Sequence, residues 1–397
     1  MPTSPSPDAG RVAFVHDSLY PHVIGGAGRY YWALARALTR RAPVTYVTSR
    51  FLERRRGTVD GMEVVGVAPR PRPRSLLRKA LFGIGVFRHL LLHGGRYAVV
   101  HCCCFPYPAV LAARLGLLPH RRTRLVVDWH EVIPRATWRR RRRLLGELGY
   151  LVQALAIRCG DVAVTYSSLH RRRLEARRSR DSVVLMPEFL PEGEAPPFDP
   201  GAPRENLVVF LGRLVGEKRA DLVAAVVAEL RRSDPSWRGV IFGGGPDRDR
   251  VAESIRASGQ AEAVKLVGFA SWEAVSTALG HARCLLFPSQ REGFGLAVLE
   301  AAAHGLPAVL VAGDDNAAVE LIEPGENGLV VDEPDPAHMA AAVWELADNP
   351  ETHRRARAWF ESAARRHSLE RAVDELLALD VRLSAPRAAV GGATLQR

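Results

Sequence analysis

Residues 206–232, "NLVVFLGRLVGEKRADLVAAVVAELRR", decide how the rest of the chain reads. The stretch "NLVVFLGR" is a short apolar run of strand type, and "ADLVAAVVAELRR" has the length and composition of a helix. Between them lies a glycine-flanked basic turn with Arg213 and Lys218. A strand that passes through a tight turn into a helix is the repeating half of a βαβ unit.

Reading outward, the same unit recurs. Downstream, "RGVIFGGGP", "AVKLVGF", "CLLFPS", "PAVLVAG" and "GLVVD" read as strands, with helices in "DRDRVAESIRAS", "SWEAVSTALGHA" and "GFGLAVLEAAAHG". Upstream, the strands are "RVAFVHD", "PVTYVTS", "YAVVHCCC", "TRLVVDWHE" and "DVAVTYS". The helices between them open on "GGAGRYYWALARALTRR", follow a basic loop up to His93, and continue in "PAVLAARLGLL" and "LLGELGYLVQALAIRCG", the last behind the run Arg139–Arg143. Alternation stops at "MPEFLPEGEAPPFDPGAPREN", where proline, glycine and acids crowd into a linker. The expectation is an α/β fold of two Rossmann-like domains, 1–195 and 205–367, facing each other across a cleft at the carboxyl ends of their parallel strands. A helix follows at 368–385, and a tail without periodic signal, expected to be disordered, at 386–397.

Composition narrows the class. The 397 residues suit two domains, and 47% hydrophobic with 25% charged residues is a globular balance. "MPTSPSPDAG" has neither the basic start nor the apolar core of a signal peptide, and Arg78, Lys79 and Arg88 interrupt the most apolar stretch, so a cytoplasmic protein without a spanning helix is expected. The five cysteines include three adjacent ones, Cys102 to Cys104, a spacing that suits structural thiols better than a metal site or disulfide framework. The net charge of +12 comes almost wholly from arginine and suggests anionic partners, either nucleotides, nucleic acid or phospholipid.

Four constellations carry chemistry. "GGAG" lets backbone amides approach an anion at a helix start, although such turns are as often simple connections. Arg213 and Lys218, after a strand, suit a diphosphate whose charge grows when a bond to it breaks. In "REGFGLAVLEAAA", a helix starting near Phe294 would aim the amides of Phe294, Gly295 and Leu296 at phosphate and place Glu300 about two turns in, with Glu292 ahead of it. Carboxylates there accept hydrogen bonds from sugar hydroxyls. His130, at the strand end "VVDWHE" with Asp128 and Glu131 beside it, is the fourth, with structural and catalytic readings balanced.

Taken together these residues resemble the retaining nucleotide-sugar glycosyltransferases of family 4, of the two-Rossmann architecture called GT-B. The resemblance spans nearly the whole chain and rests on Glu292 and Glu300 with seven residues between, on "GRLVGEK" and on "NAAVELIEPGENGLVV". It implies C-terminal helices that cross back to the first domain. It implies Glu300 on the nucleotide ribose, Glu292 on the donor sugar, and Arg213 and Lys218 on the diphosphate. The Gly25–Gly26 loop would complete the phosphate cradle, His130 would contact the sugar, and the stretch 267–270, with Phe269, would meet the base. Gly28 stands where many members carry a larger polar residue.

The implied reaction moves a hexosyl unit from a UDP- or GDP-sugar to an acceptor hydroxyl of a glycolipid, polysaccharide or natural product. Retention at the anomeric carbon and no cofactor or metal are expected. Rivals are a sugar-nucleotide epimerase on the same fold and a non-catalytic protein that docks polyanions or an anionic membrane through "WRRRRRLL". Nucleic acid is not an expected partner of the enzyme; for the basic and apolar surface of the first domain, peripheral contact with the inner face of an anionic membrane is one reading, and a core helix with a solvated basic face is the other.

Overall fold

The computed structural model describes residues 10–23, 25–52, 55–69, 76–187, 189–190, 196–349, 351–366 and 368–384. The chain divides into two compact units: Met1–Tyr166 with His170–Glu192 and His367–Arg397, and Ser167–Leu169 with Gly193–Arg366. The expected tail at 386–397 lies outside the described residues.

The first unit opens with β1 (Val12–Val15), α1 (Gly26–Leu38), β2 (Val44–Ser49), β3 (Arg56–Val59) and β4 (Met62–Ala68). It continues through α2 (Leu76–His93), β5 (Val99–Cys103), α3 (Tyr107–Gly116), β6 (Arg124–Trp129), α4 (Arg135–Cys159), β7 (Val162–Thr165), α5 (Ser168–Glu175) and β8 (Val183–Leu185). One eight-stranded sheet has the order β3-β4-β2-β1-β5-β6-β7-β8. Its central strands are buried along their length, because helices cover both faces of a parallel sheet and leave no side for polar residues. The order reverses between β1 and β5, so the loops leaving those strands diverge there.

Two readings of the sequence change in this unit. The basic loop expected after β2 holds an antiparallel hairpin, β3 on β4, turned by Asp60 and Gly61 with φ of 48° and 79°. Asp-Gly supplies the two left-handed residues that a tight hairpin turn needs, and this signal was legible. The arginine run expected ahead of a helix lies inside α4, which begins at Arg135 behind Pro134.

The second unit contains β9 (Leu207–Leu211), α6 (Leu222–Ser233), β10 (Arg238–Phe242), α7 (Arg248–Ala257), β11 (Val264–Gly268), α8 (Trp272–His281) and β12 (Cys284–Phe287). Then come β13 (Arg291–Glu292), α9 (Leu296–Ala303), β14 (Ala308–Val311), β15 (Asp315–Asn316), β16 (Gly328–Val331), α10 (Pro336–Ala347) and α11 (Thr352–Arg366). Six parallel strands order as β11-β10-β9-β12-β14-β16, with β13 and β15 pairing separately. Helix α6 buries Val223, Val226, Val227 and Leu230, the stripe that a period of 3.6 residues puts on one side, against Met339, Val343 and Leu346 of α10. Each such side chain stabilises the unit by roughly 1.5–3 kcal/mol. Here the reversal falls between β9 and β12.

The last helix, α12 (Leu369–Ser384), belongs to the first unit and packs on α1 and β5 through Ala372, Val373, Leu376 and Leu379. A buried charge network fastens it. His101 Nε2 lies 3.0 Å from Asp380 Oδ1, and His101 Nδ1 lies 3.7 Å from Asp128, which also accepts hydrogen bonds from Tyr31 and Tyr166. Arg41 pairs with Asp374 at the rim, and Arg124 Nε donates to the Leu383 carbonyl at 3.1 Å.

Burial opposes charge on His101, but Asp380 and then Asp128 outweigh it and raise its pKa to about 10. A raised histidine contributes stability that is complete below its ordinary value near 6.5 and lost as pH rises through about 10. We therefore expect Asp380→Asn to melt earlier at neutral pH, by roughly 3 kcal/mol as for a broken buried pair, and to lose the part of the alkaline stability slope that His101 supplies. Thermal denaturation of both proteins across pH 6 to 10 checks this; identical slopes would remove the charged network.

Candidate active site

In the second unit the strand reversal between β9 and β12 brings together the two loops that carry the candidate residues. After β9 a short 3-10 turn, Gly216–Lys218, ends on Arg219 in the left-handed region, with φ of 48°. That reversal places Lys218 beside the loop after β12. Its ammonium forms an ion pair with Glu292, donates to the Arg291 carbonyl at 3.3 Å, and lies 5.9 Å from the centre of the Phe287 ring. Arg291 in turn bonds Glu217 at 2.6 Å, and the Gln290 amide donates to the Glu217 carbonyl at 2.8 Å. Two crossed ion pairs thus clamp the turn after β9 to the strand β13.

Glu292 is 9% exposed, a costly place for a carboxylate that only the Lys218 partner makes tolerable. Strand pairing fixes its direction, since Glu292 stands opposite Asn316 in the β13–β15 ladder. Asn316 is the residue that the sequence reading left without a role. Its buried amide donates to the carbonyls of Ser289 and Val311 at 3.0 and 2.9 Å and accepts from Ala318 N at 3.2 Å, joining the loops after β12 and β14.

Helix α9 starts at Leu296, two residues later than expected, and Gly295 is its N-cap with φ 113° and ψ 48°. A Cβ there would lie 2.5 Å from Ala318 Cβ, so the conformation and the packing both require glycine. Phe294 therefore precedes the helix, and the first helical amides are those of Leu296 and Ala297. Glu300 is the fifth helical residue, so it sits little more than one turn in and not two, buried at 3% exposure among alanines and leucines. An amide-lined helix start ahead of a buried carboxylate offers an anion site beside a hydroxyl site.

Arg213 is exposed in the loop after β9, and among the described residues no ion pair joins it to the Lys218–Glu292 cluster. Phe269 is 69% exposed beyond β11 and lies across Gly244, whose Cβ would meet its ring at 2.2 Å. That contact exposes a second omission. The strand expected over "RGVIFGGGP", through Pro246, ends instead at Phe242, and three glycines form a loop against the one after β9. Gly243 has φ 127°, and its Cβ would be 1.8 Å from the Gly212 carbonyl oxygen, while Leu214 N donates to the Gly244 carbonyl at 3.0 Å. Three adjacent glycines were the available signal.

In the first unit, Gly25 is the extended N-cap of α1 and Gly26 its first residue; a Cβ on Gly25 would meet nothing within 4 Å. Gly28, one turn in, lies against Ser18, whose Oγ a Cβ would approach to 3.2 Å. His130 follows β6, stacked on Tyr166 with ring centres 4.9 Å apart and flanked edge-on by Tyr30 and Tyr31 of α1. The helix that opens on Gly25–Gly26 therefore meets the His130 loop within this unit. Asp128, its neighbour in sequence, is committed to the network that holds α12. His16, after β1, has its Nδ1 2.9 Å from the Ser18 hydroxyl and 3.1 Å from the Ser18 carbonyl oxygen. A bond with Cys104 and burial push the Cys103 thiol up to about 11, so it is no thiolate at neutral pH. All five cysteines are free.

Among the described residues no group of three or more His, Cys, Asp or Glu is placed to hold a metal ion, and no helix is long and apolar enough to cross a membrane.

Comparison with known proteins gives this geometry its context. Residues 195–365 match the family model described as glycosyl transferases group 1, and residues 25–188 match the glycosyl transferase 4-like domain. The chain is 34% identical over 174 residues to alpha-D-kanosaminyltransferase of Streptomyces kanamyceticus, which covers 43% of this chain and 44% of that protein. With D-inositol 3-phosphate glycosyltransferase of Corynebacterium diphtheriae the identity is 25% over 412 residues, 92% of this chain and 93% of that one. The matched stretch thus spans under half of the kanosaminyltransferase and nearly all of the inositol phosphate enzyme. Among solved structures, sucrose-phosphate synthase from Thermosynechococcus elongatus superposes with a TM-score of 0.76 at 18% identity, over 94% of this chain and 99% of that one. Anabaena HepE in complex with UDP and glucose gives 0.70 at 15% identity, over 93% and 99%. The fold is that of the GT-B glycosyltransferases.

Gly295→Ala should destabilise the second unit by roughly 1–3 kcal/mol, the cost of forcing a side chain into a glycine-only conformation. Urea unfolding measures it; an unchanged midpoint would show that the start of α9 is not held as described.

Proposed function

Because this chain belongs to the group 1 glycosyl transferases, with a glycosyl transferase 4-like domain ahead of the matched region, we propose that it moves a hexosyl unit from a nucleoside diphosphate sugar to an acceptor hydroxyl with retention at the anomeric carbon. The observation that carries the reading is the ion pair of Lys218 with Glu292 at the strand reversal, one short turn ahead of the glycine-capped helix that buries Glu300. The proposal assigns the diphosphate to Lys218, Arg213 and the amides at the start of α9. Glu300 takes the ribose hydroxyls and Glu292 those of the sugar. Phe269 and the backbone beside it take the base. In the first unit, the loop Gly25–Gly26 and His130 are assigned to phosphate and sugar.

Glu292 is a poor nucleophile as placed, since Lys218 holds its carboxylate and strand pairing fixes its backbone. Front-face displacement fits better. The bond from the anomeric carbon to the phosphate oxygen breaks, the acceptor oxygen bonds the same face, and its proton passes to the departing phosphate. Two cations at the leaving group stabilise the charge that develops, a task for which the proposal invokes no metal. A uridine donor is the first to test, because HepE, of the same fold, was solved with UDP-glucose.

Stabilisation by ligand tests the reading. UDP, GDP, ADP, TDP and their sugar conjugates are compared by thermal shift, with Glu300→Ala as the control. One nucleotide at about 100 times its dissociation constant should add roughly 2.7 kcal/mol, and the mutation should abolish the effect. No response to any nucleotide would sink the donor-site assignment. Lys218→Ala should lower kcat more than it raises KM, by roughly 2–4 kcal/mol in barrier height, as for other lost transition-state donors. Normal turnover by that variant would end the role given to Lys218.

A further inference from the structure

The candidate donor residues of the second unit gather beyond the carboxyl ends of its strands, but the same sheet has a second concavity at its other edge. It is an open cavity of about 550 Å³, lined where the chain enters four adjacent strands: by Asn206 ahead of β9, Arg238 at the start of β10, Ala263 ahead of β11 and Arg283 ahead of β12. A five-residue strand such as β9 rises about 16 Å, so this cavity lies a full strand's length from the turn that carries Lys218.

Four arginines, Arg204, Arg231, Arg238 and Arg283, share the cavity, and among the described residues none of them has an ion-pair partner. Three are fixed by backbone carbonyls instead. Arg204 donates to Leu279, Ala282 and His304, Arg231 to Pro235 and Trp237, and Arg283 to Ala347. These bonds orient the guanidinium forks and leave N–H groups over: the Arg283 Nε is buried without an acceptor, and exposed Arg238 has no side-chain acceptor among the described residues. Asp234, close behind Arg231 in the chain, is taken up by Asn206 Nδ2 and Ser236 N at 2.8 and 2.9 Å. Neighbouring histidines register the uncompensated charge. Burial first, then Arg204 and Arg283, lower the pKa of His353 to about 4, and burial with Arg204 and Arg357 lowers that of His304.

Oriented guanidinium forks without a counter-ion suit a phosphate, which they can grip through paired N–H groups. Glu205 and Glu262 stand exposed at the same cavity, where carboxylates accept hydrogen bonds from hydroxyls and repel an extended polyanion. The volume is that of a small-molecule site. We propose that this cavity binds a small phosphate monoester that carries hydroxyl groups, a sugar phosphate in chemical class, with its phosphate on the arginines and its hydroxyls on Glu205 and Glu262. This site stands apart from the donor site, at the other ends of the strands.

Isothermal titration calorimetry of the full chain with glucose 6-phosphate and with inorganic phosphate is the test. The sugar phosphate should bind at least about 10-fold more tightly, as hydroxyls bonded to a carboxylate would make it, and salt should weaken both. Arg238→Ala should weaken binding about 10-fold, the effect of one charge-assisted hydrogen bond, and Arg283→Lys, which keeps the charge and loses the fork, should also weaken it. Melting temperature checks the fold, and since Arg238 is exposed it should hardly move in that variant. Glu300→Ala and Lys218→Ala should leave the affinity as it is. Absence of binding, equal affinity for the two ligands, or undiminished binding by Arg238→Ala would overturn the proposal. So would loss of binding in Glu300→Ala or Lys218→Ala, because the ligand would then sit at the donor site.

Discussion

A parallel strand can be reached from its neighbour only by a crossover, and most crossovers of both units are helices that cover the sheet on its two faces. Because the chain must wind first one way and then the other, each sheet has one place where successive loops part. In the second unit that place lies between β9 and β12, and every candidate donor-site residue there except Phe269 lies on the segments that leave those two strands. The chemistry follows from this geometrical necessity. Sequence decides only which side chains stand at the gap.

What stands there is charge held at low exposure. Glu292 and Glu300 are both carboxylates that water scarcely reaches, and the ion pair with Lys218 offsets the cost for the first. Around them the backbone is pinned by groups with no chemistry of their own. Asn316 satisfies two carbonyls and one amide and joins the loops after β12 and β14, and Gly243 and Gly295 allow backbone approaches that no side chain would permit. Precision at the site therefore comes from residues that never need to touch a substrate.

The alternation of apolar runs made both sheets legible, because parallel strands buried on both faces leave unbroken Val, Leu and Ile runs. Helix ends were less visible. The start of α9 was misplaced by two residues because a left-handed glycine cap looks in sequence like one more helical glycine, and the correction moves Glu300 closer to the amides. Glu300 could be singled out because a carboxylate among alanines and leucines is conspicuous, and Lys218 and Glu292 because they stand at glycine-bearing turns between a strand and a helix. Asn316 could not, since an asparagine in a loop ordinarily signals a turn and nothing local announces that its amide will be buried among distant carbonyls. The Asp60–Gly61 hairpin was a different failure: the signal was present, and the basic residues around it drew the reading to a loop.

The return of α12 to the first unit has an implication for how the molecule comes into being. The second unit is essentially one uninterrupted stretch of chain, whereas the first is written in two parts with that stretch between them. A ribosome delivering the chain from its amino end finishes the second unit while the first still lacks its last helix. Until α12 emerges, Asp128 and His101 wait in a half-closed interior without Asp380, and the part of α1 that packs on α12 has no cover. The part of the protein that is made first is thus the part that is completed last, and nascent chains carry an open seam for most of their synthesis.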